Sequence, residues 1–290
     1  MPSLQSLRRK ITSVKNTQKI TKAMKMVAAA KLKRAQERIL TSRPYAHQLR
    51  EVMGNLSQRV NRASHPLLSR RDGRTVELLV VTSDRGLCGA FNTNILRRAV
   101  DFLEEQRRQG MQVSVSLIGR KSIEFFKRRD WPIRQEWGGV FDRLSFEHAL
   151  DIGQNVVSQY YAGTFDQLYV VYNEFKSAMQ QEVIVEKFLP IESLDDARGD
   201  DTQTIGGYLY EPDEGELLET LLPKHFEVQT YRALLESAAA EQAARMTAMD
   251  GATRNAGELI KKVTLFYNKT RQAAITKELM DIVGGAEAIK

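Results

Sequence analysis

The sequence VQTYRALLESAAAEQAARMTAMDGATRNAGELIKKVTLFYNKTRQA, residues 228–273, is a heptad repeat with apolar residues at alternating spacings of three and four. Eleven of its fourteen core positions are apolar. These positions hold Val228, Tyr231, Leu235, Ala238, Met249, Ala252, Ala256, Leu259, Val263, Phe266 and Ala273. A seam of this length predicts a long α-helix that pairs with a second helix in a left-handed coiled coil.

The start of the chain offers the matching helix. No proline or glycine occurs between Ser3 and Pro44, and apolar residues recur there with a helical period. Pro44 predicts a kink rather than an end, because the period resumes as far as Leu56. The simplest arrangement is an antiparallel coiled coil between an N-terminal helix at 1–60 and a C-terminal helix at 213–290.

The middle of the chain has a different pattern. Four short, β-branched apolar runs at 76–82, 113–118, 168–175 and 183–189 predict buried strands. Helical patterns separate them, at about 92–109, 120–129 and 145–162. This alternation predicts a mostly parallel, Rossmann-like α/β domain at 72–212, inserted between the two long helices. The predicted fold class is therefore α/β plus a long antiparallel helical coiled coil.

The end of the predicted domain is acidic. Residues 192–219 contain ten acidic side chains against the single basic Arg198, together with Gly199, Gly206 and Gly207. Such a charge run is typical of a solvated segment. We therefore expect residues 192–219 to form a loop that leads into the final helix.

Charge is distributed unevenly along the chain. The net charge is +7, yet the first 60 residues hold 14 basic residues against Glu37 and Glu51. Ten of these basic residues precede the first acid, a pattern that allows a nucleic-acid-binding adaptor as one hypothesis. No aromatic residue occurs before Tyr45 to stack on bases, so a basic face toward an acidic protein partner is favoured. Met24, Met26 and Val27 form an apolar patch that favours a place in a helix core.

Little in the sequence indicates catalysis. Cys88 is the single cysteine, and the four histidines are scattered without metal-ligand or nucleophile–base spacing. Composition otherwise suits a folded protein, at 42% hydrophobic and 27% charged residues. We expect no catalytic site, no metal and no cofactor.

The segment SDRGLCGAFNTN, residues 83–94, lies between a predicted strand and a predicted helix, where α/β folds place ligand loops. It lacks both the GxGxxG spacing and a Gly-Lys-Ser/Thr phosphate loop. A nucleotide-binding enzyme centred here is a second hypothesis. The alternative is a glycine-permitted turn in which Asp84 and Arg85 form a local ion pair.

Three segments carry a family resemblance: TQKITKAMKMVAAAKLKRAQ at 17–36, TSDRGLCGAFNTNI at 82–95 and ITKELMDIVGGAEAIK at 275–290. In this order, and over the whole chain, they resemble the gamma subunit of bacterial F-type ATP synthases. EQAARMTAMDGATRNAGELI at 241–260 is also similar to that family. The resemblance therefore extends beyond a generic coiled coil.

The resemblance implies a non-catalytic rotor shaft that couples proton-driven rotation of a membrane ring to conformational cycling of catalytic beta subunits. It also implies a part in regulating ATPase activity. The implied partners are three alpha and three beta subunits, an epsilon subunit and the membrane ring of c subunits, with no nucleic acid. The implied location is peripheral, on the cytoplasmic face of the bacterial plasma membrane.

The resemblance also implies two sets of contact residues. Met24, Arg271, Gln272 and Thr276 are expected to contact the catalytic ring. Tyr208, Leu209, Tyr210 and Glu211 are expected to lie at the foot that meets the membrane ring. The alternatives are an exposed arginine without a contact for the first set, and an acidic surface loop without a partner for the second.

Overall fold

A computed structural model describes residues 3–59, 65–71, 73–191 and 213–287 of the chain. Along the chain, one long helix precedes and another follows an alternation of strands and shorter helices. The helices are α1 (Leu4–Arg59), α2 (Phe91–Arg108), α3 (Arg120–Phe126), α4 (Phe146–Tyr161) and α5 (Glu214–Glu287). The strands are β1 (Thr75–Val81), β2 (Gln112–Ile118), β3 (Ile133–Trp137), β4 (Gln167–Phe175) and β5 (Gln181–Leu189). None of the described helices has the length and apolarity needed to cross a membrane.

The five strands form one sheet in the order β3-β2-β1-β4-β5. Neighbouring strands are parallel except for β4 and β5, which pair in antiparallel register. Central strand β1 is almost wholly buried because it is covered on both faces, which explains its unbroken apolar run. The predicted combination of long terminal helices and a mostly parallel sheet is confirmed.

The sequence missed strand β3 and overextended one helix. Strand β3 reads IRQEW, and all five residues are half-buried at an edge of the sheet, so it lacks the apolar run used to predict the others. The helix predicted at 120–129 ends at Phe126. Strand β5 follows β4 through a tight connection at 176–180, which accounts for its antiparallel direction.

Helix α5 begins earlier than the charge pattern predicts. Residues 214–219 are helical, so the expected loop does not extend to Glu219. The first turn is stabilised at Asp213, whose side chain accepts from the Gly215 backbone N–H at 3.2 Å and whose carbonyl accepts from Leu217 at 2.9 Å. Burial of Leu218 then favours continuing the helix. Residues 192–212 of the expected loop lie outside the described residues.

The chain divides into two compact units, one of residues 1–29 with 245–290 and the other of residues 30–244. The second unit contains the sheet and also the first half of α5. Buried apolar α5 side chains in this unit are Leu218, Leu222, Phe226, Val228, Ala233, Leu234, Leu235, Ala239, Ala240 and Ala243. Several of these lie outside the heptad positions, and Ala240 joins the core cluster of the sheet. A single coiled-coil seam is therefore the wrong description of this half of the helix.

Candidate partner-binding surfaces

The first unit is an antiparallel pairing of α1 with the second half of α5. Thr21 Oγ1 lies 2.8 Å from Thr253 Oγ1, and Gln18 Nε2 donates to the Thr253 carbonyl at 3.4 Å. Farther along α1, Lys25 meets Asp250. Rising numbers on α1 thus match falling numbers on α5, so this part of the predicted antiparallel coiled coil is present.

Small side chains permit this close pairing. Ala28 and Ala256 are buried, and a Cβ added at Gly257 would lie only 3.0 Å from Gln18 Nε2. The Lys25 ammonium contacts the Asp250 carboxylate at 2.6 Å. That hydrogen bond, with the nearby positive charges, lowers the pKa of Asp250 below its ordinary value of 3.8.

Met24 lies on α1 directly before Lys25 and is half-buried. It is therefore partly covered within the pairing and partly accessible. Its neighbours in the apolar patch, Met26 and Val27, are 60% and 56% exposed. The preference for a helix-core role is wrong for these two residues, because the buried seam of α1 runs through Thr21 and Ala28 instead.

Helix α5 continues past the start of α1. The register of the observed pairs places Leu4, the first residue of α1, level with Arg271. Arg271, Gln272 and Thr276 are exposed accordingly. Ala273 is exposed as well, although it holds a core position of the heptad repeat.

The last turns of α5 carry exposed apolar side chains. They are Ile275 (49% exposed), Leu279 (57%), Met280 (66%), Ile282 (69%) and Val283 (55%). Two heptad residues, Leu259 and Phe266, are also 39% and 47% exposed. A contiguous apolar surface of this kind is typical of a protein-binding site. The sequence could have indicated this surface, because the apolar helical pattern of α5 continues beyond the length that α1 can cover.

In the loop at 83–94, the carboxylate of Asp84 occupies the nearby backbone N–H donors. Asp84 Oδ1 accepts from the backbone N–H groups of Arg120 (3.0 Å) and Gly139 (2.8 Å), and Oδ2 accepts from Phe141 (2.8 Å). Asp84 is 7% exposed. Three backbone donors at the carboxyl ends of the parallel strands, where this fold usually binds phosphate, therefore already serve an internal anion.

The expected ion pair between Asp84 and Arg85 does not form. Arg85 instead reaches Asp142 at 3.0 Å, because the Asp84 carboxylate is turned toward backbone donors. The neighbouring Leu87 has φ +66° and is 64% exposed, so the loop holds an apolar side chain in an unfavourable backbone conformation.

The same loop buries Cys88. Its Sγ accepts from Asn92 Nδ2 at 3.3 Å, and Asn92 also bridges to Ser83. These bonds fix the turn between β1 and α2. Among the described residues no group of three or more His, Cys, Asp or Glu side chains is placed to hold a metal ion.

A cavity of about 330 Å³ lies in the second unit and was not predicted. Phe146, at the start of α4, and Tyr231 form part of its wall, with ring centroids 5.4 Å apart. Ile39, Tyr45 and Val228 complete the apolar side. Of the predicted contact residues that the structure describes, none lines this cavity.

Tyr208, Leu209, Tyr210 and Glu211 lie outside the described residues. Of the predicted contact residues, the structure therefore places Met24 in the helix pairing, and Arg271, Gln272 and Thr276 on the unpaired end of α5. It does not bring Met24 together with the other three, since Met24 lies close to Asp250 in the register.

Comparison with known proteins identifies the family. A family model described as ATP synthase matches residues 3–289. The ATP synthase gamma chain of Geobacter metallireducens is 49% identical over 290 residues, with 100% of both chains covered. The chain belongs to the ATP synthase gamma-chain family.

Solved structures agree with this gamma-chain fold. A chain of the Tetrahymena thermophila mitochondrial ATP synthase, from a structure of the central stalk and c-ring, is 26% identical, with a TM-score of 0.60. The match covers 80% of this chain and 99% of that one. A chain of the Euglena gracilis mitochondrial ATP synthase has a TM-score of 0.70 at 22% identity, covering 99% and 94%. The second likeness extends the shared fold over nearly the whole chain.

Proposed function

We propose that this chain is the central-stalk rotor shaft of a proton-translocating ATP synthase. It carries the rotation of the membrane ring to the catalytic subunits and so couples proton flow to ATP synthesis. Membership of the gamma-chain family supports this proposal. The structural observation that carries it is the unpaired apolar end of α5, which needs a protein sleeve to cover it.

The shaft acts by presenting different faces to three otherwise equivalent catalytic sites. Each beta subunit then has an affinity for nucleotide that depends on the angle of the rotor, which is differential binding across conformational states. One side of the paired segment carries the Lys25–Asp250 ion pair, while Met26 and Val27 are exposed apolar residues. Because its sides differ in this way, the surface can present a different face to each surrounding subunit as the rotor turns.

The chain itself is non-catalytic in this proposal, and nucleotide chemistry occurs on its partners. Support comes from Asp84, whose carboxylate already takes the backbone donors at the ligand edge of the sheet. A bound nucleotide would have to displace this buried side chain. Regulation of ATPase activity belongs to the assembled complex.

The contacts with the catalytic ring of three alpha and three beta subunits involve Met24, Arg271, Gln272 and Thr276. Arg271 and Gln272 are long, exposed hydrogen-bonding side chains next to the apolar end of α5. They are placed to meet polar loops of the ring while Ile275 and Leu279 meet apolar surfaces. Charge-assisted hydrogen bonds of about 1.5–3 kcal/mol are strong enough to bias a rotary state and weak enough to break at each step.

The foot of the shaft meets the c ring through Tyr208, Leu209, Tyr210 and Glu211, with the epsilon subunit as a neighbour. The complex lies on the cytoplasmic face of the bacterial plasma membrane, and this chain is attached peripherally. Replacing Tyr208 and Glu211 together by Ala is expected to weaken attachment to the membrane sector and leave soluble ATPase activity intact. Undiminished proton-driven ATP synthesis in that variant would contradict the foot contact.

Rotation can be tested through a single label. Met179 is 90% exposed in the connection between β4 and β5, whereas the native Cys88 is 1% exposed. A Met179→Cys variant, assembled with the alpha and beta chains and fixed through beta, accepts a bead on this chain at that position alone. ATP is expected to turn the bead in one direction.

The control is the same complex with a non-hydrolysable nucleotide, in which the bead should stay still. A complex that assembles and hydrolyses ATP without turning the bead would refute the rotor function. Failure to assemble with alpha and beta, combined with salt-sensitive retention on nucleic acid, would favour the adaptor hypothesis instead.

A further inference from the structure

The amino-terminal edge of the sheet collects arginines from three successive loops. Arg70 and Arg74 precede β1, Arg107 and Arg108 end α2 before β2, and Arg128 and Arg129 follow α3 before β3. We call these six residues the arginine edge. All except Arg70, which has further contacts, are exposed without a carboxylate within ion-pair distance among the described residues.

Backbone hydrogen bonds align the starts of the strands that follow these loops. The Gln112 N–H donates to the Arg74 carbonyl at 2.7 Å, and the Asp166 N–H donates to the Thr75 carbonyl at 3.0 Å. The strands β1, β2 and β4 therefore start at the same height, as parallel register requires. Arginines from separate loops thus lie along one edge.

Two of these guanidinium groups are held by aromatic rings. Arg107 stacks on Trp131 at 3.9 Å from the ring centroid, and Arg129 stacks on Phe125 at 3.4 Å. Stacking fixes the planar group while its N–H edges remain able to bind oxyanions. The Asp166 carboxylate accepts from the Thr75 N–H at 3.0 Å, which holds it at the start of β1. Asp130 is the one exposed acidic residue in the described loops of this edge.

The opposite edge of the sheet is built differently. There Arg85 and Arg120 both approach Asp142, at 3.0 and 3.6 Å, and Asp84 satisfies the backbone donors. The arginines of the carboxyl edge are therefore ion-paired, whereas those of the amino edge other than Arg70 have no carboxylate within ion-pair distance among the described residues. Arg128 is still close enough to Glu124 to act on it electrostatically. An excess confined to one edge indicates an anionic partner for that edge.

Aromatic residues flank the arginine edge. Trp131 is half-buried beside Arg107, and Tyr161, at the end of α4, is 45% exposed on the other side of the sheet. Tryptophan and tyrosine near basic side chains are the composition found where proteins meet anionic lipid headgroups. A single-stranded nucleic acid would require free aromatic faces, whereas Arg107 covers one face of Trp131.

We propose that the arginine edge binds the anionic phospholipid headgroups of the membrane surface. This inference rests on the proposed place of the chain in a membrane-attached complex. It adds a direct lipid contact to the protein contacts of the foot. The phosphate oxygens accept from the guanidinium groups, and Trp131 and Tyr161 lie at headgroup level.

The test measures binding of the full chain to vesicles of phosphatidylcholine alone or mixed equally with phosphatidylglycerol. Binding to the anionic vesicles is expected to weaken about fivefold for each arginine removed, hence about 25-fold in Arg108→Gln/Arg128→Gln. The matched control is Arg97→Gln/Arg143→Gln, which removes two exposed arginines from the same unit away from this edge. It keeps the basic N-terminal helix unchanged, and should leave binding unchanged.

A second measurement locates the contact. In a Trp137→Phe background, Trp131 is the remaining tryptophan, and brominated phosphatidylglycerol is expected to quench it in the parent but not in Arg108→Gln/Arg128→Gln. Equal loss of binding in both arginine pairs, or no quenching, would overturn the proposal. Competition by inorganic phosphate would assign the edge to free phosphate, and stronger dependence of oligonucleotide binding on the pair would assign it to nucleic acid. These lipid-binding results do not affect the bead-rotation experiment, so the lipid contact and the rotor function can be refuted independently.

Discussion

The two ends of α5 are both rich in apolar residues, yet only one of them is covered by its own chain. In residues 213–244 the helix is buried on several faces, with Phe226 at 1% and Ala240 at 0% exposure. In residues 272–287 apolar side chains such as Met280 remain 66% exposed. The first end therefore contributes to folding, and the second is available for a partner. Stability and function should respond to substitutions at opposite ends of one helix.

The largest effect is expected from removing the buried end. A fragment of residues 72–212 keeps the five strands, and we predict that it folds by itself. A fragment of residues 30–244 retains the buried part of α5 as well. The shorter fragment lacks these buried contacts, and we expect its free energy of unfolding to be lower by about 5 kcal/mol. For a domain of about 200 residues this corresponds to a melting temperature lower by roughly 10–20 °C. Thermal unfolding followed by circular dichroism should show that difference, and equal melting temperatures would contradict the role given to α5.

A single substitution makes the same comparison within the full chain. Phe226 packs edge-to-face on Phe188 at 6.0 Å, and Phe226→Ala should lower the free energy of unfolding by about 3–5 kcal/mol. The matched variant at the other end, Met280→Ala, should change it by less than about 0.5 kcal/mol. Urea titration of both variants gives the two values. Similar losses would mean that the end of α5 is covered within the free chain.

The sequence predicted much of this arrangement because hydrophobic periodicity is local. Runs such as 76–82 identify central strands, and the heptad repeat identifies α5 as a long helix. Periodicity alone did not separate the two ends, since both satisfy the same repeat. The difference depends on the register with α1, which is set by contacts such as Thr21 with Thr253, 232 residues apart in sequence.

The candidate sites were predicted less completely for the same reason. The donors bound by Asp84 come from residues 36, 55 and 57 positions away, so the closed loop has no local signature. Arginines of the edge are likewise scattered over three loops. By contrast, Arg271 was identified through family resemblance, and its exposure at the unpaired end of α5 is compatible with a contact.

At the exposed end, Arg271→Ala is predicted to reduce coupled ATP synthesis and hydrolysis about tenfold or more, while assembly stays intact. The reason is the loss of a charge-assisted hydrogen bond worth about 1.5–3 kcal/mol in one rotary state. Arg271→Lys should restore activity only in part, because it lacks the planar fork. Lys269→Ala removes an exposed cation from a different side of the same turn and serves as the control. A fully active Arg271→Ala complex would contradict this contact without contradicting the rotor function.

The smallest effect is expected between the two ends, where α5 pairs with α1. Lys25 lowers the pKa of Asp250, and both side chains are substantially exposed, at 43% and 37%. In Lys25→Ala the Asp250 pKa should therefore rise toward its ordinary value, because the largest cause that lowers it is lost. Carboxyl chemical shifts recorded against pH measure this directly.

The sign of the stability change follows from the depressed pKa of Asp250. A carboxylate with a lowered pKa in the folded state stabilises the pairing above its ordinary pKa, and this contribution is lost as the pH falls through the lower folded value. Lys25→Ala should therefore remove a small contribution that is fully present at neutral pH, and should flatten the fall in stability as the pH drops below 3.8. Lys22→Ala, an exposed lysine three residues earlier, should leave both the titration and the acid limb as they are. If Lys22→Ala and Lys25→Ala shifted the Asp250 titration equally, general charge rather than the paired contact would set its pKa.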